Sequence, residues 1–168
     1  KALKIGNLLA TVPIVQGGMG IGVAGRRLAT AVANQGGIGV LSAVGMGYLG
    51  LPCEIEAQEG DSRNITILRQ ELRKARQLTN GVLGVNIMVA IREFTETARA
   101  AIEEGVDVIF AGAGLPLNLP ACLTEQAKTK LVPIVSSAKA ARLIAKRWMS
   151  RYHYAPDAFV LEGPKAGG

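Results

Sequence analysis

The sequence predicts an α/β fold built on a parallel sheet. Three observations point there. Six short apolar runs recur along the chain: PIVQGG, GIGVLSA, GVLGVNIMVA, VDVIFAGAG, LVPIVSS and AFVLEG. Each contains or ends on glycine or another small residue, and the stretches between them mostly carry helical periodicity. Consecutive buried strands joined by helical crossovers must pair in parallel, and such sheets bind ligands at the carboxyl ends of their strands, where these small residues stand.

In chain order, Val12–Met19 is a strand candidate, rich in β-branched residues and broken by Gly17 and Gly18. Ala24–Gln35 follows as a helix with Leu28, Ala31 and Val32 on one face, stopped by Gly36 and Gly37. Gly37–Ala43 is a second, wholly apolar strand. Val44–Ser62, with its glycines, Pro52 and four acids, reads as a long loop. Asn64 is placed to cap a helix over Ile65–Leu78, with Ile65, Leu68, Leu72, Ala75 and Leu78 inward and Arg69, Arg73, Lys74 and Arg76 outward. Leu83–Ala90 is the third strand, Glu93–Glu104 a helix ended by Gly105, and Val106–Ala111 the fourth strand. A helix of about ten residues is expected from Pro120. Val132–Ser136 is strand five, Ala138–Arg151 a helix broken by Pro156, and Ala158–Leu161 strand six. The repeat length suits a closed barrel and an open doubly wound sheet equally. A complete eight-stranded barrel takes about 250 residues, so in the barrel reading the 168 residues form part of a longer protein.

Composition narrows the function classes. The chain is 49% hydrophobic but only 4% aromatic, which describes an aliphatic core. No apolar stretch reaches the roughly 18–20 residues of a membrane span, and the start lacks the cleavage signature of a secretory leader. The net charge is +6, with no acid before Glu54. Basic residues are not interleaved with aromatics as single-strand nucleic-acid binders require, so nucleic acid is not an expected partner. Cys53 and Cys122 have no CxxC spacing and no histidine neighbour, which reads as free thiols in a reducing cytoplasm and not as a metal site. His153, the single histidine, lies at a helix exit and is assigned a structural place.

Few motifs carry chemistry. GIGVAG (20–25) matches GxGxxG between a strand and a helix, but the acid expected on the ribose is missing where the second strand ends Leu41-Ser42-Ala43. Tight strand–helix packing is the competing explanation. Asn86 interrupts an apolar strand; a buried amide needs partners, and these are backbone groups or a ligand. Glu162 ends strand six at the ligand-binding edge, and Gly167 and Gly168 offer bare N–H donors for an anion. Histidine is otherwise unavailable as a base, so redox or proton chemistry requires a cofactor or residues outside this sequence.

Five of these segments in order, PIVQGGMG, GGIGVLSA, GVNIMVA, LVPIVSSAKAA and EGPKAGG, resemble the nitronate monooxygenase (2-nitropropane dioxygenase) family, to which flavin-dependent enoyl-acyl-carrier-protein reductases are related. The resemblance covers nearly the whole chain. It implies a TIM-type (β/α)8 barrel, here incomplete with about six strands, in which residues 1–168 are the N-terminal part of one FMN-binding domain. It implies FMN contacts at Gly17, Gly18, Met19, Asn86, Glu162 and Gly167. It places the catalytic histidine directly after Gly168, outside this chain, and the phosphate loops on later strands. Lys165 stands where many members have an acid. The implied activity is oxidation of alkyl nitronates by molecular oxygen. Alternatives are reduction of an enoyl thioester with a nicotinamide cofactor, and an inactive flavin-binding or assembly module. A small-molecule substrate, cytoplasmic location and self-association through open sheet edges complete the expectation.

Overall fold

The computed structural model describes residues 1–48 and 50–166. A hairpin comes first: β1 (Leu3–Ile5) pairs antiparallel with β2 (Leu8–Ala10). Then follow α1 (Arg26–Asn34), β3 (Ile38–Ser42), α2 (Arg63–Leu78), β4 (Val82–Met88), α3 (Phe94–Glu103), β5 (Val108–Gly112), β6 (Lys130–Val135), α4 (Ala138–Tyr152) and β7 (Val160–Leu161). The last five strands form one sheet in the order β3-β4-β5-β6-β7, every pair parallel. Spatial order equals chain order, with no reversal. A doubly wound sheet reverses at its switch point, whereas a singly wound succession is what a TIM-type barrel requires. The fold is therefore the α/β fold of part of a TIM-type barrel.

Strict alternation divides the core into two. Leu41, Leu83, Val85, Ile87, Ile109, Ala111 and Leu131 face the helices and pack with Leu68, Leu72, Ala98, Ile144 and Trp148. The intervening residues Ile38, Val40, Val108, Phe110 and Val132 face the concave side. There they meet Ile5 and Ala10 of the hairpin, which closes the amino-terminal end of the sheet's inner face. The sequence reading missed this hairpin. Its signal was the Gly6-Asn7 pair between Leu3-Lys4-Ile5 and Leu8-Leu9-Ala10, with Gly6 at φ 57°.

Three other expectations are corrected. Val12–Met19 is not a strand. Val15 forms one isolated parallel bridge to Ile38, and then the Gln16 side chain takes over the ladder. Its amide donates to the Val40 carbonyl (3.0 Å) and accepts from the Val40 N–H (3.2 Å), so the backbone is free to turn away at Gly17. The helix expected from Pro120 is a single 3-10 turn, Leu119–Cys122. Its buried side chains are spent within that turn, and the polar Thr124–Gln126 that follows has no apolar face to bury. The cap of α2 is Ser62, whose hydroxyl accepts from the Ile65 N–H, while Asn64 reaches across to the Gly47 N–H and the Ala43 carbonyl.

Two helix faces also differ from the pattern. In α1 the buried stripe is Ala29, Thr30 and Ala33, with Leu28 37% exposed. Small residues win because α1 lies directly on β3: a Cβ at Gly39 would stand 1.8 Å from the Ala29 carbonyl oxygen. In α2 Arg69 is only 4% exposed. It is drawn inward by three carboxylates: Asp61 (2.7 Å), just before α2, and Glu103 (2.7 Å) and Glu104 (3.3 Å), which join α2 to the end of α3.

The amino-terminal rim of the sheet is latched by aspartates. Asp107 accepts from the Leu83 N–H (2.8 Å) and from Arg76 (2.6 Å). Asp157 repeats the device two units later, accepting from the Leu131 N–H (2.9 Å) and from the hydroxyl of the half-buried Tyr154. Burial and the neighbouring carboxylate push the Tyr154 phenol well above its ordinary range. Asp107→Ala strands a strand-end N–H and frees Arg76, so chemical denaturation should show a loss of about 1–3 kcal/mol.

Candidate functional site

The opposite rim holds the chemistry-bearing residues. The same alternation that sends Val85 and Ile87 to the helices turns Asn86 to the concave side, in register with Ser42 on β3 and Phe110 on β5. At the carboxyl ends of the strands a cavity of about 610 Å³ opens. Its wall includes Gly18, Ser42, Asn86, Gly112, Ile134 and Glu162. Val44, Met88 and Ile21 supply apolar surface. Residues from five strand ends, β3 to β7, and from the Gly18–Ile21 turn thus converge on one space.

Three expected site residues meet here. Gly18 lies directly against Asn86: a Cβ on Gly18 would stand 2.3 Å from the Asn86 Cβ and 2.7 Å from its Cγ. The close approach leaves room only for backbone. Glu162 follows β7, held by its own N–H to the Val135 carbonyl (2.9 Å), with its side chain at the cavity wall. Gly17 and Met19 are not in that wall; Met19 is 44% exposed and a Cβ on Gly17 would meet nothing within 4 Å. Gly167 lies outside the described residues.

Two residues of the site escaped the sequence reading. Gln16 anchors the turn to β3 through both of its amide groups. An amide inside an apolar run was the available signal, the same one that singled out Asn86. Ile21 borders the cavity in the left-handed region, at φ 50°, which no periodicity reveals. The GIGVAG segment spans the turn that leads into α1, whose cap position is Gly25.

The lining suits a flat heteroaromatic ring. Aliphatic residues and Met88 offer the faces; the Asn86 amide, which has no hydrogen-bond partner among the described residues, can both donate to and accept from a ring edge carrying carbonyls and nitrogens. No lysine or arginine is among the described lining residues, so this cavity fits the ring of a flavin and leaves its phosphate to other residues.

A family model described as nitronate monooxygenase matches residues 1–168. The chain belongs to the nitronate monooxygenase family. Among curated proteins it is 30% identical over 156 residues to a (3aS,4S,5R,7aS)-5-hydroxy-7a-methyl-1-oxo-octahydro-1H-indene-4-carboxyl-CoA dehydrogenase of Mycobacterium tuberculosis, covering 93% of this chain and 37% of that protein. The dehydrogenase of the same name from Rhodococcus jostii matches with the same figures. Among solved structures, FabK from Thermotoga maritima superposes with a TM-score of 0.66 at 29% identity, covering 90% of this chain and 41% of FabK. Nitroalkane oxidase from Streptomyces ansochromogenes shares the fold with a TM-score of 0.66 at 23% identity, over 94% of this chain and 48% of the oxidase. The chain therefore spans 37% of the length of the curated relatives and less than half of each of the two solved structures.

Among the described residues no group of histidine, cysteine and acidic side chains is arranged to hold a metal. Cys53 is exposed and Cys122 buried, both as free thiols. Burial pushes the Cys122 thiol upward, which makes it a poor nucleophile. His153 ends α4 at φ 52°, in a C-cap role. No helix among the described residues is long and apolar enough to cross a membrane.

Proposed function

We propose that the chain is the flavin-binding part of an FMN-dependent oxidoreductase that oxidises alkyl nitronates with molecular oxygen. The observation that carries the reading is the convergence of Gly18, Asn86 and Glu162 on one cavity at the carboxyl rim, in a chain matched throughout by the nitronate monooxygenase family. Bound FMN would supply the redox chemistry, accepting electrons from the substrate and passing them to oxygen. The protein's share is orientation. Gly18 lets the backbone come close, and the Asn86 amide meets a polar ring edge. Glu162 offers an acceptor on the far side, and Val44, Met88 and Ile134 keep water from the ring faces. Gly17, Met19 and Gly167 belong to the same proposal as flanking FMN contacts. The proton-abstracting histidine is proposed to follow Gly168.

A second reading has its own support. The 30%-identical curated relatives are named as carboxyl-CoA dehydrogenases, and the family that the sequence resembles is related to flavin-dependent enoyl-acyl-carrier-protein reductases. Reduction of an enoyl thioester by a nicotinamide cofactor is therefore the alternative reaction on the same site. The full-length protein should be yellow as purified. Nitronate-dependent oxygen uptake supports the oxidase; oxidation of NADH that needs an enoyl thioester supports the reductase. A colourless preparation that takes up no added FMN rejects both.

A further inference from the structure

Cations are treated in opposite ways on α2 and α4. On α2, Arg69, Arg73, Lys74 and Arg76 are each paired with a carboxylate. On α4, Lys139, Arg142, Lys146, Arg147 and Arg151 are all exposed, and none is in an ion pair among the described residues. The helix, AKAARLIAKRWMSRY, contains no acid. Like charges three or four residues apart on a helix repel. Lys139 with Arg142, Arg142 with Lys146 and Arg147 with Arg151 are such pairs, and no side chain of the helix offsets their cost.

The charges also share a face. Ile144 and Trp148 are the buried side chains of α4. At about 100° per residue, Lys139, Arg142 and Lys146 fall opposite them, and Arg147 and Arg151 extend the basic strip along one flank to about 18 Å. Leu143 (48% exposed) and Met149 (49% exposed) border the central row on either side. The face is thus a convex ridge of cations edged with apolar side chains. The cavities at the carboxyl rim, beside α1 and near the end of α3 are all lined without a residue of α4. A folded protein partner is anchored by side chains that fill pockets, and nucleic acid is read by amides or stacked on aromatics. The central row offers none of these. An acidic lipid surface needs none: it attracts cations across its whole plane and takes apolar side chains between its headgroups.

We infer that the outer face of α4 is a docking surface for a membrane leaflet rich in acidic phospholipid, with Lys139, Arg142 and Lys146 as its central contacts. The inference is independent of the cofactor and of the reaction. Co-sedimentation of the full-length protein with vesicles tests it. Vesicles of phosphatidylcholine carrying about 30% phosphatidylserine should bind the protein about tenfold or more better than phosphatidylcholine alone at about 0.1 M salt. Raising the salt to about 1 M shortens the reach of exposed charges from about 10 Å to about 3 Å and should release the protein. Each cation near such a surface is worth about fivefold in affinity, so the triple variant Lys139→Gln, Arg142→Gln, Lys146→Gln should bind about a hundredfold more weakly. Its three positions are exposed and unpaired among the described residues, so the core is untouched. A control triple, Lys1→Gln, Lys4→Gln, Lys128→Gln, removes the same charge from exposed positions elsewhere and should lose less than about fivefold. A protein that ignores the acidic vesicles, or loses them equally in both triples, overturns the inference. So does a protein that binds polyglutamate or an oligonucleotide, and not the vesicles, through the same three residues.

Discussion

Replacing Gly18 with alanine should strip the protein of flavin, while the same change at Gly17, a flanking contact with open space beside it, should cost much less. The two glycines are adjacent, yet their surroundings are opposite. A Cβ at Gly18 would sit 2.3 Å from the Asn86 Cβ, and at Gly17 it would enter open space. Asn86 is on β4, held on both sides by parallel neighbours, and cannot retreat. The turn must move instead, and it carries Ile21 and the cavity wall with it. Overpacking of this kind costs about 1–3 kcal/mol, so the ratio of bound flavin to protein should fall by roughly tenfold or more in Gly18→Ala. Visible absorbance after dialysis reads it directly. Equal retention in the two variants would remove Gly18 from the proposed FMN site.

The second large effect is expected far from that site. Arg69→Met should lower stability by about 3–5 kcal/mol, because it leaves three carboxylates without their shared cation. Asp61 and Glu104 are each only 10% exposed, so water cannot replace the guanidinium. The loss should also change the acid limb of stability. Burial alone would push the Glu104 carboxyl up, but hydrogen bonds and charge from Arg73 and Arg69 outweigh it and hold the group below its ordinary 4.5. The unfolded chain therefore binds that proton more readily than the folded one. The network contributes fully above about pH 4.5 and is lost as pH falls through the lower folded value. Denaturation midpoints measured from pH 7 to pH 3 should fall less steeply in Arg69→Met than in the parent. A parallel fall would place the acid sensitivity elsewhere.

What the sequence disclosed follows from how many residues speak for each feature. The strands β3 to β6 and the four helices rest on runs of apolar residues whose period repeats, and such runs tolerate a few exceptions. Asn86 stood out for the same reason, as one amide in an apolar strand. The hairpin, by contrast, depends on two triplets and a glycine. The Val12–Met19 segment has strand composition, but one side chain, Gln16, makes the hydrogen bonds that a backbone ladder would have made. A charge at helical spacing usually faces outward, and Arg69 does not. Its burial depends on Asp61, eight residues before it, and on Glu103 and Glu104, more than thirty residues away. The face of α1 was misread because the partner surface contains Gly39, and only the assembled sheet shows that alanine fits where leucine does not. Local pattern reveals elements; pairings across long separations become visible only in three dimensions.

The aspartate latches and the cavity occupy opposite ends of the same strands. Asp107 and Asp157 secure one rim, while Gly18, Asn86 and Glu162 gather at the other. Two of the strands, β4 and β6, are thus anchored at their beginnings, while their far ends stay free to diversify. Drift in the upper loops can retune what is recognised without loosening the foundation, which is how a single scaffold comes to be shared by catalysts as differently named as a CoA-thioester dehydrogenase and a nitroalkane oxidase.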